Sequence, residues 1–227
     1  MYWNLEIKIN EKLYLRDPNS TELGRRIVKH GILMMEEIGL EDFTFKKLAA
    51  NMETTEASIY RYFENKQLFL IYIVSWYWNW LEYLIIYKTN NIVDPFQKMD
   101  IVMDILLLNT QDYIDGGPEV DKRILHLLVI KESSKSYLTH QVQKYNEAQF
   151  FKPYKSLCKR IADILLEINP TYQYSKNLTS TLLLMSRNLY FFMDNLPSLT
   201  DLPEEKDIKN TKGFLIQLVE TSVGTKF

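Results

Sequence analysis

The sequence is poor in the residues on which most enzymes and secreted proteins are built. Among 227 residues stands one cysteine, Cys158, so no internal disulfide framework is available and a reducing cytoplasm is expected. The three histidines, His30, His126 and His140, lie in separate segments. None forms a His-x-x-x-His or Cys-x-x-Cys pattern, so no metal site is expected. Walker and dinucleotide glycine motifs are absent, and with them any expected cofactor. Cys158 lies between Lys155 and Lys159, whose charges are expected to lower its pKa. It has no base or oxyanion site in company, and no enzyme is expected. The N-terminus lacks a charged-then-apolar leader. Glycine and proline are scarce, at seven each, and most sit at apparent helix ends. Between them Leu, Ile, Lys and Glu recur at helical spacing, which implies an all-α protein. The length allows one large domain or two modest ones.

Residues 43–66 carry the most information. They read as two short helices joined by a tight turn and followed at once by a third, the geometry that places a helix in the DNA major groove. Thr44 is positioned to cap the first helix, leaving Phe45, Leu48, Ala49 and Met52 on one apolar stripe. Thr55 is positioned to cap the second, whose buried face is Ile59 and Phe63. Glu56, Ala57, Ser58, Tyr60, Arg61 and Tyr62 are then free to face a partner. A plain helical hairpin in a core is the alternative.

The pattern Thr44…Leu48-Ala49…Thr55…Ser58-Ile59-Tyr60-Arg61-Tyr62-Phe63…Lys66…Leu68 resembles the TetR family of bacterial transcriptional regulators. The match is strong over residues 20–70, and Tyr-x-Tyr-Phe-x-x-Lys is its most specific piece. The chain departs from the family in the turn, where Glu53-Thr54-Thr55 replaces a small residue or glycine followed by Val-Ser. Glu tolerates a left-handed backbone less well than glycine does. The resemblance implies a three-helix DNA-binding domain at 20–66 after an extension at 1–19. A larger helical ligand-binding and dimerisation domain is implied at 67–227. It also implies double-stranded DNA as partner, bound at a pseudo-palindromic operator by a homodimer, and a small-molecule effector. Residues 56, 57, 58, 60, 61, 62 and 66 are then expected to face DNA. Arg61 and Lys46 are the leading base or phosphate contacts, and Thr44, Thr55, Tyr60, Tyr62 and Lys66 set the backbone. Ala57 suits a thymine methyl, and Glu56 either accepts from a cytosine amine or repels phosphate.

Charge runs against this reading. Residues 20–66 hold seven basic and eight acidic side chains, a net of −1, where counterion release from phosphates favours a basic surplus. Lys46, Lys47, Arg61 and Lys66 do flank the helix-turn-helix, and Glu36, Glu37, Glu41 and Asp42 cluster at the far end of the preceding helix. A helical protein–protein module that has lost DNA is the rival reading, favoured by this acidity and by Glu53.

Ahead of the match, Ile7, Ile9, Leu13 and Leu15 alternate with polar residues. A hairpin with a three-residue loop at 10–12 pairs Ile9 with Leu13 and Ile7 with Leu15. Lys8, Lys12 and Arg16 could touch DNA from it, although a strand packed on the protein is the expected role. Asp17-Pro18-Asn19-Ser20 breaks the chain and starts a helix bearing Leu23, Ile27, Met34 and Ile38, which Gly39 closes.

Residues 68–87 are about as long as a membrane span. Ser75, Asn79 and Glu82 interrupt them, and the aromatic residues crowd their middle rather than the two ends. A core helix linking two domains is the expected role, with no membrane partner. Further helices are expected at 95–112, 118–131, 139–168 (bent or broken near Pro153), 175–195 and 204–223. By the resemblance, the last two make the dimer. Trp76, Trp80, Glu82, Tyr83, Met103, Phe151, Tyr154 and Met185 are candidates to line an apolar effector pocket. Glu82 or Asp104 beside such rings suits a lipophilic cation; plain core packing is the alternative for each ring.

Overall fold

A computed structural model describes residues 7–108, 120–202 and 208–225. Among the described residues it is all α, with no strand. Ten helices follow in order: α1 (Glu22–Asp42), α2 (Phe45–Asn51), α3 (Glu56–Tyr60), α4 (Lys66–Thr89) and α5 (Pro95–Leu106), then α6 (Lys122–Glu132), α7 (Val142–Glu147), α8 (Lys152–Ile168), α9 (Ser175–Asn195) and α10 (Ile208–Val223). The chain divides into two compact units, Met1–Trp80 with Tyr113–Pro153 and Leu81–Asp112 with Tyr154–Phe227.

The first unit is built around a ring cluster. Phe63 and Phe69 lie 4.6 Å apart between centroids, and Phe43 stacks on Phe69 at 5.9 Å. All three are fully buried, and each contributes about 1.5–3 kcal/mol by leaving water. Gly31 lets α1 approach this cluster, since a Cβ there would stand 2.4 Å from the Phe69 ring. The regular path of α1 breaks at Gly39, whose φ of 75° suits glycine. α1 also packs along α6, and Lys131 bonds Glu36 at 2.6 Å.

In the second unit, Lys212 of α10 sits between Asp100 and Asp104 of α5, at 2.8 and 2.9 Å. The Tyr190 hydroxyl donates to the Leu107 carbonyl at 2.9 Å, which ties α9 to the end of α5.

Two expectations require correction. The N-terminal hairpin does not form in its described part; residues Glu11–Leu13 and Pro18–Ser20 make two 3-10 turns instead. Asn10 closes the first turn by accepting from the Lys12 amide, and Asp17 caps the second. Ile9 and Leu13, four apart, are then buried together. Leu13 ends the first turn while Ile9 lies ahead of it, and no glycine is present to fold a tight hairpin. The stretch expected over 139–168 is broken into α7 and α8 at Gln149, whose φ is 65°, just ahead of Pro153 in the first turn of α8. The 95–112 helix ends its regular path at Leu106, and Leu108 turns left-handed. The first residues of the 118–131 and 204–223 helices lie outside the described residues.

α4 is long and apolar enough to cross a membrane, yet 78% of its most apolar window is buried inside the protein. Its apolar residues face in several directions because protein surrounds it, as a core helix requires.

Candidate nucleic-acid interface

The helix-turn-helix forms as its caps dictate. The Thr44 hydroxyl accepts from the Lys47 amide at 3.1 Å to start α2, and that of Thr55 from the Ser58 amide at 3.3 Å to start α3. Phe45, Leu48, Ala49 and Met52 are buried on one face, and Ile59 and Phe63 seat α3 against it. Glu53 occupies the turn with φ 53°, the left-handed conformation that disfavours a side chain.

This packing sorts the residues expected to face a partner. Ala57 and Arg61 are exposed, Tyr60 is 46% exposed, and Glu56 and Ser58 are half-buried. Thr55 is exposed at the start of the same helix, and Lys46 and Thr44 are exposed on α2. Two residues depart from the expectation. Tyr62 is 2% exposed, and its hydroxyl lies 2.7 Å from that of Thr21, the residue that caps α1. Tyr62 therefore docks α3 onto the start of α1 rather than projecting outward. α3 itself ends at Tyr60, so Tyr62 turns off the outward face. Lys66 points its ammonium at the C-terminal end of α1, donating to the carbonyls of Leu40, Glu41 and Phe43 at 2.8, 2.9 and 3.0 Å. These partners satisfy all three of its donors.

The same accounting explains how a domain of net −1 presents positive charge. Lys47 donates to the Asp42 carbonyl, Arg25 to that of Asn19, and Arg26 to that of Met52. Among the described residues, the side chains of Lys46 and Arg61 make no hydrogen bond or ion pair, and both are exposed. Two of the acidic residues at the far end of α1 are held by cations, Glu36 by Lys131 and Glu41 by Lys135. Charge is thus separated along the unit, with Glu53, Glu56 and Glu64 remaining near the reading helix.

The N-terminal turns reach this site through two contacts to Tyr62. The Leu15 amide donates to the Tyr62 carbonyl at 2.8 Å, and the Arg16 guanidinium lies 5.6 Å from the Tyr62 ring centroid.

The candidate pocket residues divide between the units. Trp76 and Trp80 stack 6.2 Å apart in the first unit, both buried, and Phe151 belongs to the same unit. Lys122 lies over the Trp76 ring at 5.0 Å. In the second unit Glu82 accepts from the Ser156 hydroxyl at 2.7 Å, and Asp104 is held by Lys212. Met103 is fully buried, Met185 and Tyr154 are half-buried, and Tyr83 lines an open depression with Ile86 and Tyr87. The lysines flanking Cys158 do not lower its pKa. Burial pushes the thiol up to about 11, against a hydrogen bond from Tyr154 and the charge of Arg187.

No protein-family model matches the chain, and no curated protein matches it. Solved structures do. AibR in complex with isovaleryl coenzyme A and operator DNA superposes with a TM-score of 0.59 at 14% identity, covering 88% of this chain and 99% of that one. FadR, a fatty acid degradation regulator from Bacillus halodurans, gives 0.59 at 17% identity, covering 84% and 96%. Apo AibR gives 0.50 at 14%, covering 84% and 96%. The chain therefore has the fold of these all-helical transcription regulators, over nearly their whole length.

Proposed function

We propose that this protein is a ligand-responsive, DNA-binding transcriptional regulator of the TetR type, acting as a cytoplasmic repressor. The observation that carries the reading is the α2–α3 pair. It is fixed by two threonine caps and presents Lys46, Ala57, Tyr60 and Arg61 outward, with both cationic side chains unpaired among the described residues. Arg61 and Lys46 contact bases or phosphates, Ala57 meets a thymine methyl, and Glu56 filters sequence by accepting from cytosine or repelling phosphate. Tyr62 and Lys66 support DNA binding by holding α3 and α4 to the ends of α1. Arg61→Ala costs about 1–3 kcal/mol at the specific site if Arg61 reads a base.

α9 and α10 pair with their copies in a homodimer, so that two reading heads meet successive major grooves of a pseudo-palindrome. A largely apolar effector releases the operator by shifting α4 and changing the separation of those heads. Acyl thioesters are the first effectors to try, because AibR was solved with one. The test is selection of bound sequences from random duplex DNA at two salt concentrations. Recovery of an inverted repeat whose affinity falls steeply with salt supports the reading. A folded dimer that selects nothing overturns it in favour of a protein–protein module.

A further inference from the structure

The N-terminal turns, residues 7–20, precede the helix-turn-helix and add cations to its edge. Lys8, Lys12 and Arg16 are exposed at intervals of four. None makes an ion pair among the described residues. The segment is fixed at several points. Leu13 is fully buried, and the Asn10 amide side chain donates to the Ala148 carbonyl at 2.9 Å. The Leu15 amide bonds the Tyr62 carbonyl, next in sequence to Arg61. Pro18 packs on Gly24 so closely that a Cβ there would meet the Pro18 carbonyl at 2.3 Å. Arg16 rests on the face of Tyr62, which leaves its N–H edges in solvent. Of the nearby carboxylates, half-buried Asp17 accepts from the Asn19 amide, and Glu11 is exposed beside Lys12.

We infer that Lys12 and Arg16 form a phosphate-binding edge continuous with the reading helix, gripping the duplex backbone beside the groove that α3 enters. This rests on the DNA-binding reading above. An immobilised, unpaired arginine is suited to the role, because stacking on Tyr62 removes much of the rotamer freedom that contact with a phosphate would otherwise have to freeze. The edge also supplies positive charge that residues 20–66 lack. Its contribution is independent of sequence and appears as counterion release.

The experiment measures affinity of the full-length protein for a fluorescein-labelled random-sequence duplex between about 50 and 200 mM salt. Lys12→Gln and Arg16→Gln are each expected to flatten the slope of log affinity against log salt by about 0.9 per bound subunit. Arg16→Lys should keep the wild-type slope, which a purely packing role for Arg16 does not require. Among the described residues Lys12 makes no hydrogen bond or ion pair through its ammonium, so Lys12→Gln carries the test even if Arg16→Gln weakens the fold. Wild-type slopes in both glutamine variants would overturn the inference and leave the arm as packing alone. A wild-type protein that binds no duplex at low salt overturns the DNA-binding reading and this edge together, and that outcome is recognisable without any substitution.

Discussion

The ammonium of Lys66, the first residue of α4, donates to the carbonyl of Leu40 at the end of α1 at 2.8 Å, with Glu41 and Phe43 taking its other two protons. The last carbonyls of a helix have no intrahelical partner, and a cation there also complements the helix dipole. Lys66 thus closes α1 from outside and fixes where α4 begins relative to the reading head. Lys66→Met should lower unfolding free energy by about 1.5–3 kcal/mol, the range for hydrogen bonds to a charged group. Urea denaturation checks this. A loss below about 0.5 kcal/mol, the range of an ordinary surface substitution, would return Lys66 to the list of phosphate contacts.

Glu53 holds a left-handed conformation in the turn between α2 and α3. Glu53→Gly should therefore stabilise the protein by about 0.5–1 kcal/mol, because strain relief exceeds the added chain entropy. It also removes a carboxylate beside the proposed DNA-reading helix. Thermal denaturation and DNA affinity should improve together; a lower Tm would show that Glu53 makes compensating contacts.

Gly24 is needed for space rather than for backbone freedom. A methyl group there would lie 2.3 Å from the Pro18 carbonyl oxygen, a backbone atom that cannot rotate away. Gly24→Ala should cost about 1–3 kcal/mol, as overpacking does, and should loosen the 7–20 segment first. Hydrogen exchange at the Leu15 amide, which bonds Tyr62, reports that loosening directly.

The thiol of Cys158, pushed up to about 11 from an ordinary 9.0 by burial, should be unreactive in the native protein. At about pH 8 its thiolate fraction is about 100-fold below that of the unfolded chain, and alkylation by iodoacetamide should slow accordingly. The folded state retains the proton longer than the unfolded one. The associated stability is therefore complete below about pH 9 and lost as pH rises towards about 11. Rapid native alkylation at neutral pH would contradict this.

Leu184 and Phe191 on α9, seven residues apart, and Phe214 on α10 are 40, 38 and 43% exposed. Burial of such an apolar face against a second copy is the proposed dimer. Leu184→Asp with Phe191→Asp should produce a folded monomer by light scattering, with DNA affinity much reduced because each half-site is then bound singly. A dimer unchanged by both substitutions would place the interface elsewhere.

Local rules made much of this molecule legible in advance. Thr44 and Thr55 marked two helix starts because a hydroxyl at that position accepts an otherwise unpaired amide. The apolar spacing of Phe45, Leu48, Ala49 and Met52 fixed which side of α2 is buried. Glu53 could be recognised as the awkward residue of the turn from its side chain alone. Such features depend on neighbours a few positions away, and the sequence by itself determined them. Tyr62 and Lys66 were misread because their partners, Thr21 and residues Leu40–Phe43, are more than twenty residues distant, so no periodicity reveals them. The N-terminal segment carried an alternation suited either to a hairpin or to turns, and Tyr62 and Ala148 decided between them. Which cations are free was likewise settled by the tertiary structure, since a lysine's charge is visible in the sequence but the carbonyls that occupy it are assembled only on folding.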